Sequence, residues 1–589
     1  MKLSVRAGLA GVAAAAVALG VAEVVAVVTG PLSAPLLAVG GVVVDNVPAP
    51  VKNAGVAIFG VHDKTALITG TALLLGAYAF GVGVLALRSW RAALAGIALF
   101  GVIGAAAAVT RHDAGPGAAL PALVGAAVAA VVLRLLLARA TDGAPADAGP
   151  SPIPPPPDAA PSLPDAAPPP PDAAPSLADA APPPPDAAPS VADAAPPPPD
   201  AGPARSDEDA ADAAPATADA GLARLTRRPD HPPAQPWAGR RRFLQGLGIA
   251  AGAAVVSGVA GRLLTGRRAV TQARKAVVLP APVSPARPVP AGAQVRGVTP
   301  YVSTNGDFYR IDTALYPPQV DPATWQLRVH GMVRNPITLS WEDLLRRPMI
   351  ERYVTLACVS NEVGGELIGN ARWLGTPVKA LLDEADPLPD ADQVVQRSVD
   401  GWTCGSPTAI LRDGRDALLA IGMNGRPLPV EHGFPVRLVV PGLYGYVSAC
   451  KWVTELELTR FADFDAYWVP RGWAQQAPIK TQSRIDTPRD GAKRPAGQIV
   501  VAGVAWAQHR GIAKVEVQVD GGPWQTATLA ETVSADTWRQ WFLPWTATPG
   551  RHTLRVRATD TTGATQPGTP APPEPDGATG WHTVTLAVQ

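Results

Sequence analysis

Apolar residues are distributed so unevenly that the chain divides into unlike parts. Four runs, at 7–28, 66–87, 92–110 and 119–138, are apolar enough and long enough to cross a bilayer as helices. Residues 141–236 follow, dominated by Pro, Ala and Asp, with nothing to bury. A further apolar, Gly/Ala-rich run begins after Arg240, Arg241 and Arg242. From Tyr301 the period shortens. "TWQLRVHGMV", "RYVTLACV", "FPVRLVVP" and "KWVTELELT" read as strands. "LSWEDLLRRP" reads as a helix with Ser340 as N-cap and Pro348 as stop, and "TPVKALLDEA" as another. Beyond Pro488, short alternating runs such as "GQIVVAGVAWA", "IAKVEVQVD" and "RHTLRVRATD" are separated by "DGGP" and "TPGR". They predict an antiparallel β-sandwich of immunoglobulin-like size, without the Cys…Trp…Cys core of antibody domains.

The expected architecture is therefore multidomain. It comprises a four-helix membrane region (1–140), a linker (141–236), a signal-like fifth helix (237–265) and a second linker (266–300). An α+β domain (301–487) and the β-sandwich (488–589) complete it. The net charge of +1 gives no bulk field for nucleic acid. Local charge is more telling. Lys2 and Arg6, Arg88 and Arg91, and Arg134 and Arg139 fall on one side of the four spans if the N-terminus is cytoplasmic. Glu23 lies within the first span, where an acid serves either a proton or ion path or a packing hydrogen bond. Haem between helices needs paired histidines. The spans have none, and His62 and His112 fall in loops.

In the linker, "DAAPPPPDAAPSLA" recurs every 14 residues, and Asp falls at every seventh position from Asp158 to Asp200. Proline fixes φ and removes donors, so this stretch reads as an extended, solvated spacer. The motif Arg240-Arg241-Arg242-Phe243-Leu244 is similar to a twin-arginine signal, here internal. That route carries folded proteins, as a cofactor inserted in the cytoplasm requires. A plain fifth span flanked by basic residues is the alternative. Either way the globular half is expected outside the cytoplasm, anchored in the cell membrane.

Chemistry concentrates in the α+β part. His432, Arg437 and Lys451 bracket apolar strands, with Gly433, Gly442 and Gly445 allowing close backbone approach. Such a set reads as a socket for a buried anion such as phosphate, or as strand-end cations. The chain has three cysteines, Cys358, Cys404 and Cys450. Their spacing excludes a disulfide scaffold, a paired zinc site and a CxxCH haem attachment. Cys358, where "YVTLACV" gives way to "SNEVGG", is either a small buried hydrophobe or a metal-binding thiolate.

The ordered blocks "FYRIDTAL", "DPATWQLRVHGMV", "TLACVSN" and "LPVEHGFPVRLVVPGLYGYVSACKW" resemble the sulfite oxidase family of molybdopterin oxidoreductases. The resemblance covers about residues 301–485, and the following sandwich resembles that family's dimerisation domain. It implies a molybdenum–molybdopterin cofactor with Cys358 as the protein ligand of the metal. It implies cofactor or metal-side roles for Phe308, Tyr309, Arg310, Asn361, Asp400, Thr403, His432, Arg437 and Lys451, and an active-site role for Tyr467. It also implies a homodimer through the C-terminal domain.

One departure bears on substrate. Where sulfite oxidases follow the asparagine with two arginines, this chain has Glu362 and Val363. Acid and apolar residues disfavour a dianion, so sulfite competes with a neutral sulfoxide as substrate. The expected activity is oxygen-atom transfer to or from a small sulfur compound, with electrons exchanged with a separate cytochrome or quinone-linked partner. A catalytically silent binding or sensory module is the reading from another class, and molybdenum analysis separates the two.

Overall fold

The computed structural model describes residues 2–30, 33–47, 51, 63–110, 114–141, 236–264 and 267–589. The proline-rich repeats, His62, His112 and the side chains of Arg240, Arg241 and Arg242 lie outside the described residues.

The N-terminal part is helical: α1 (Leu3–Thr29), α2 (Pro35–Asn46), α3 (Asp63–Leu85), α4 (Trp90–Val109), α5 (Leu120–Thr141), α6 (Pro236–Leu264) and α7 (Arg267–Ala276). Four segments, Leu3–Thr29, Ala66–Leu85, Trp90–Val109 and Leu120–Thr141, are long and apolar enough to cross a membrane. The apolar part of α6, Phe243–Val259, is shorter.

Helix α1 packs against α3, α5 and α6. In lipid, apolar side chains gain little from touching each other, so close packing decides association. Small residues provide it here. A Cβ on Gly11 would stand 2.1 Å from Ala79 O, one on Gly83 2.2 Å from Ala7 O, and one on Gly20 3.0 Å from Ala254 O. Backbones meet at Gly11 and Gly83, while at Gly20 the added Cβ would also strike Ser257 Oγ, at 2.2 Å.

The stretch 266–300, expected as a linker, is laid onto the globular half. Val270 of α7 is buried in the same core as Phe308 and Leu356. Arg274 donates to Leu428 O at 2.6 Å and to Pro427 O at 2.8 Å. Farther along, Val283 N–H donates to Met349 O at 2.8 Å, and Glu351 N–H to Ser284 O at 2.9 Å. Its prolines prevent a regular strand but not burial of Val298, whereas Val278 and Val283 stay exposed.

The α+β part begins with β1 (Gln326–Gly331), β2 (Ile337–Ser340), β3 (Ile350–Ala357), β4 (Ile368–Pro377) and β5 (Gln393–Ser398). It continues with β6 (Thr403–Pro407), β7 (Leu418–Met423), β8 (Arg426–Pro427), β9 (Arg437–Val439) and β10 (Val453–Thr459). One sheet runs β2-β1-β10-β5-β6, with β1 and β10 parallel. The other runs β3-β4-β7-β8, with β9 on β7. Ser340 caps Trp341–Leu345 through a reciprocal capping box with Asp343, so the sequence signal for this helix start is realised.

The C-terminal part contains β11 (Gln482–Thr487), β12 (Ala492–Arg494), β13 (Gly497–Trp506), β14 (Ile512–Val519) and β15 (Trp524–Thr526). The rest are β16 (Thr528–Leu529), β17 (Arg539–Ala547), β18 (Gly550–Asp560) and β19 (His582–Val588). Two sheets, β11-β13-β17-β16 and β12-β19-β18-β14-β15, share one apolar core containing Val501, Trp541, Val517 and Leu554. Strands β18 and β19 show the expected alternation, whereas β13 is buried continuously from Val501 to Trp506. Strand β11, on the near side of Pro488, already pairs with β13.

Gly83→Val is expected to force α1 and α3 apart, at a cost of about 2 kcal/mol or more. A lower Tm of detergent-purified protein would show it; an unchanged Tm would mean the helices do not meet here.

Candidate active site

The site is built on β3. Its last four residues are all buried: Val354 and Leu356 face one core, Ala357 another, and Thr355 is fully enclosed. A strand buried on both faces reads as a continuous apolar run, which is how "VTLACV" reads. One edge pairs with β4, from Ile350↔Gly375 to Ala357↔Ile368. C-terminal residues seal the other edge. Thr355 N–H donates to Asp536 O at 2.9 Å, Gln508 Nε2 donates to Thr355 O at 2.9 Å, and Trp538 N–H donates to Thr355 Oγ1 at 2.8 Å. Cys358 follows at the strand end. Its N–H donates to Leu367 O at 2.9 Å, and its carbonyl accepts from Asn361 N–H at 3.1 Å.

Cys358 is a free thiol, 8% exposed. Burial pushes its pKa up, while hydrogen bonds from Ser360 and the charge of Lys451 pull it down. Unmetallated, the group favours the thiol; a coordinated cation would deprotonate it. Asn361 organises the loop that follows. Its Oδ1 accepts from Leu367 N–H at 2.8 Å, and a Cβ on Gly365 would stand 2.6 Å from that oxygen. Its Nδ2 is buried without a hydrogen-bond partner. A buried orphan donor costs about 1–3 kcal/mol unless something accepts from it.

Beside this loop lie the cations. Arg437, on β9, is 4% exposed, and no ion pair with a carboxylate is formed by it among the described residues. It donates to His432 O at 3.2 Å and Leu438 O at 3.3 Å and lies 5.0 Å from the Trp373 ring centroid. Burial lowers its pKa to about 10, so it remains charged at neutral pH. Gly433, with φ at +108°, makes this cluster possible. A Cβ there would meet Arg437 Cβ at 3.0 Å and Lys451 Cβ at 3.1 Å. His432 Nε2 lies 3.0 Å from Asn305 O. Burial, then Arg437 and Lys451, push its pKa down to about 3, so it is neutral.

The buried thiol, the orphan amide and the buried arginine point to one kind of ligand. No cluster of three or more His, Cys, Asp or Glu residues able to hold a metal occurs among the described residues. A metal at Cys358 must therefore take its other ligands from outside the protein, and an anionic cofactor suits Arg437. Comparison with known proteins agrees. Residues 314–468 match the family described as "Oxidoreductase molybdopterin binding domain". Human mitochondrial sulfite oxidase is 31% identical over 321 residues, covering 46% of this chain and 58% of the human protein. The chain thus spans less than two thirds of that relative. An uncharacterized oxidoreductase of Bacillus subtilis, YuiH, is 32% identical over 178 residues, covering 30% of this chain and 85% of the relative. The protein-methionine-sulfoxide reductase catalytic subunit MsrP of Ralstonia nicotianae is 31% identical over 262 residues, covering 41% and 72%. The chain belongs to the sulfite oxidase family of molybdopterin oxidoreductases.

Within this family member, the remaining expected residues separate into groups. Tyr309 lies against Cys358 and Arg437, and burial raises its pKa, with the cysteine's charge adding to the effect. Phe308 is 4% exposed and packs edge-on to Trp373 and His432, both with centroids at 5.6 Å, so its ring forms the wall behind the cations. Arg310 Nε pairs with Asp312 Oδ2 at 3.0 Å, and Lys451 Nζ pairs with the same oxygen at 2.7 Å. Asp312 is the residue that the sequence reading missed. Asp400 stands near Asp312 and Lys451, and burial raises its pKa. Thr403 Oγ1 accepts from Tyr467 N–H at 3.0 Å, which ties Tyr467 to the Asp400–Thr403 corner. Arg471 lies 3.8 Å from the Tyr467 ring centroid. Glu362 is exposed, whereas Val363 and Gly364 lie against Gly580 and His582 of the C-terminal part.

Because His432 binds a proton less readily folded than unfolded, stability falls as pH drops from about 6.5 towards 3. His432→Gln should flatten the loss of Tm between neutral pH and about pH 5. An equally steep fall in the variant would assign the acid sensitivity to other groups.

Proposed function

We propose that this chain is a membrane-anchored oxidoreductase that transfers an oxygen atom to or from a small sulfur compound, with Cys358 as the protein ligand of a molybdenum–molybdopterin cofactor. The observation that carries this reading is a buried thiol and a buried arginine that both act on Tyr309, the arginine having no carboxylate partner among the described residues. Arg437, neutral His432 and Asn361 would hold the cofactor's polar groups. The cofactor supplies the two-electron redox chemistry; the protein supplies orientation and charge.

What the chain's own groups do limits the substrate. Arg310 and Lys451 bring two positive charges to the site, and Asp312 takes up one through both of them. A dianion such as sulfite would meet a carboxylate already holding its binding cations, and Glu362 adds negative charge at the loop. A neutral sulfoxide pays no such penalty. Its oxygen needs only hydrogen-bond donors, which Arg310 and Lys451 still offer. We therefore favour a neutral oxo-sulfur substrate over sulfite.

The basic residues flanking the spans support an orientation with the catalytic part outside the cytoplasm, and a twin-arginine route would deliver it already folded. The C-terminal part is read as the immunoglobulin-like dimerisation domain of the family. The contact of Leu315 with Gly40 of α2 fits this orientation, because α2 follows the end of α1 that faces outward.

Cys358→Ser should abolish turnover while leaving Tm within a few degrees, since a hydroxyl is a poorer ligand and the strand is otherwise intact. Arg437→Ala should reduce the molybdenum content of purified protein, measured by mass spectrometry. Full metal content and activity in both variants would overturn the assignment. Asp312→Asn should release Arg310 and Lys451 and lower the KM for sulfite about tenfold, equivalent to about 1.4 kcal/mol. Efficient sulfite turnover by the native protein would remove the preference for a neutral substrate.

A further inference from the structure

The loop after Cys358 carries a buried amide that the loop alone cannot aim. Asn361 Nδ2 is buried without a partner, and Asn361 Oδ1 accepts from Leu367 N–H at 2.8 Å. Between these two residues stand Gly364 and Gly365, the first with φ at +81°. Glycine restricts φ and ψ least, so the pair gives the turn little stiffness of its own. One internal bond, from Gly365 N–H to Glu362 O at 2.9 Å, closes it. Its position must come from what it rests on.

It rests on the C-terminal part at three successive residues. Arg484 Nη1 donates to Gly365 O at 2.8 Å. A Cβ on Gly364 would stand 2.2 Å from His582 Cδ2 and 2.4 Å from its Nε2, so bare glycine backbone lies on the imidazole. Val363 Cγ2 lies 3.6 Å from where a Cβ on Gly580 would stand.

Both polar partners are themselves held. Arg484 is buried, and its three guanidinium nitrogens have separate acceptors. Besides the bond to Gly365, Nε donates to Asp486 Oδ1 at 2.6 Å and Nη2 to Thr299 Oγ1 at 3.1 Å. Asp486 Oδ2 accepts from Thr299 N–H at 3.0 Å, which closes the ring of contacts. The main chain of β11 is equally fixed: a Cβ on Gly503 of β13 would stand 1.9 Å from Arg484 O. His582 Nδ1 accepts from Ile485 N–H at 3.0 Å, so one strand anchors both groups. Burial, reinforced by Arg484, pushes the pKa of His582 down, which keeps that nitrogen an acceptor. Asp486 offsets the charge of Arg484, so what this arginine offers the loop is position.

We propose that Arg484 and His582 are positioning residues of the redox site, which hold the Val363–Gly365 turn so that the Asn361 amide stays directed at the cofactor. The inference rests on the reading of Asn361 as a cofactor-holding group. It gives the C-terminal part a share in building the site within a single chain.

The test uses the full-length, molybdenum-loaded chain in detergent. Turnover is followed with reduced benzyl viologen and methyl p-tolyl sulfoxide, or with sulfite and ferricyanide, whichever pair the native chain uses faster. Arg484→Lys keeps a charge beside Asp486 and loses the fork that reaches Gly365. His582→Asn keeps an acceptor for Ile485 N–H, removes the ring beneath Gly364, and carries the same test if Arg484→Lys does not fold. By hydrogen–deuterium exchange, the amides of Gly365 and Leu367 should exchange at least about tenfold faster in each variant, with Tm within a few degrees of native. The kcat should fall about tenfold, the size expected for one lost hydrogen bond from a charged donor, with KM little changed. Combining either variant with Asn361→Ala should lose no more than Asn361→Ala alone, because both act through one amide. A purely structural role would give losses that add. Arg510→Lys is the control. It disturbs another arginine of the C-terminal part, bonded to Asp560, Ile479 and Thr481, and should leave kcat and both amides unchanged. Native exchange in either variant, or additive losses, would overturn the positioning role while leaving the oxidoreductase reading intact. Native turnover in Asn361→Ala would overturn it too, by removing the group through which it acts. Absence of molybdenum and of turnover in the native chain would remove both.

Discussion

The arrangement depends on one constraint: a lone thiol must be presented at the end of a strand that is closed on every side. Two cores cover the faces of Val354–Ala357, β4 pairs with one edge, and Asp536, Gln508 and Trp538 take up the other. Each hydrogen bond along that edge is worth only about 0.5–1.5 kcal/mol net. Together they leave the strand no alternative position. Because Cys358 leaves this fixed strand, the loop after it can be held by a single amide, Asn361.

Charge in the site is arranged by burial rather than by number. Arg437 has been withdrawn from solvent with only carbonyl and ring partners, which keeps its field available. Lys451 and Arg310 are bound to Asp312, which offsets one of their two positive charges while their N–H groups remain donors. His432, among these cations, stays neutral because protonation would add a further positive charge to a buried cluster. The same few residues therefore set a buried arginine without a carboxylate partner apart from a corner where one carboxylate is shared by two cations.

Much of this was legible in the chain. Helical spans and strands follow from apolar period, and the start of the Trp341–Leu345 helix follows from Ser340 and Asp343. Cys358 was recognisable from its place at the end of an apolar run together with the family blocks. Asp312 was not. A carboxylate in an irregular loop has no period, and its partner Lys451 is 139 positions away. The stretch 266–300 misled for the converse reason: its prolines mark it as irregular, and irregular backbone can still be held against a sheet when its carbonyls and amides find partners, as those of Val283 and Ser284 do. The sealing of β3 was equally hidden, because the contacts of Thr355 with Gln508 and Trp538 span 153 and 183 positions.

That sealing has a consequence for how the protein is made. A ribosome delivers Thr355 and Cys358 well before Asp536 and Trp538. Until those later residues arrive, the Thr355 end of β3 has a bare edge, and a bare edge invites pairing with other chains. The strand that leads to Cys358 is finished only when residues as late as Trp538 exist. The cysteine and the β-sandwich are thus a single unit of assembly, although a domain diagram would draw them as two.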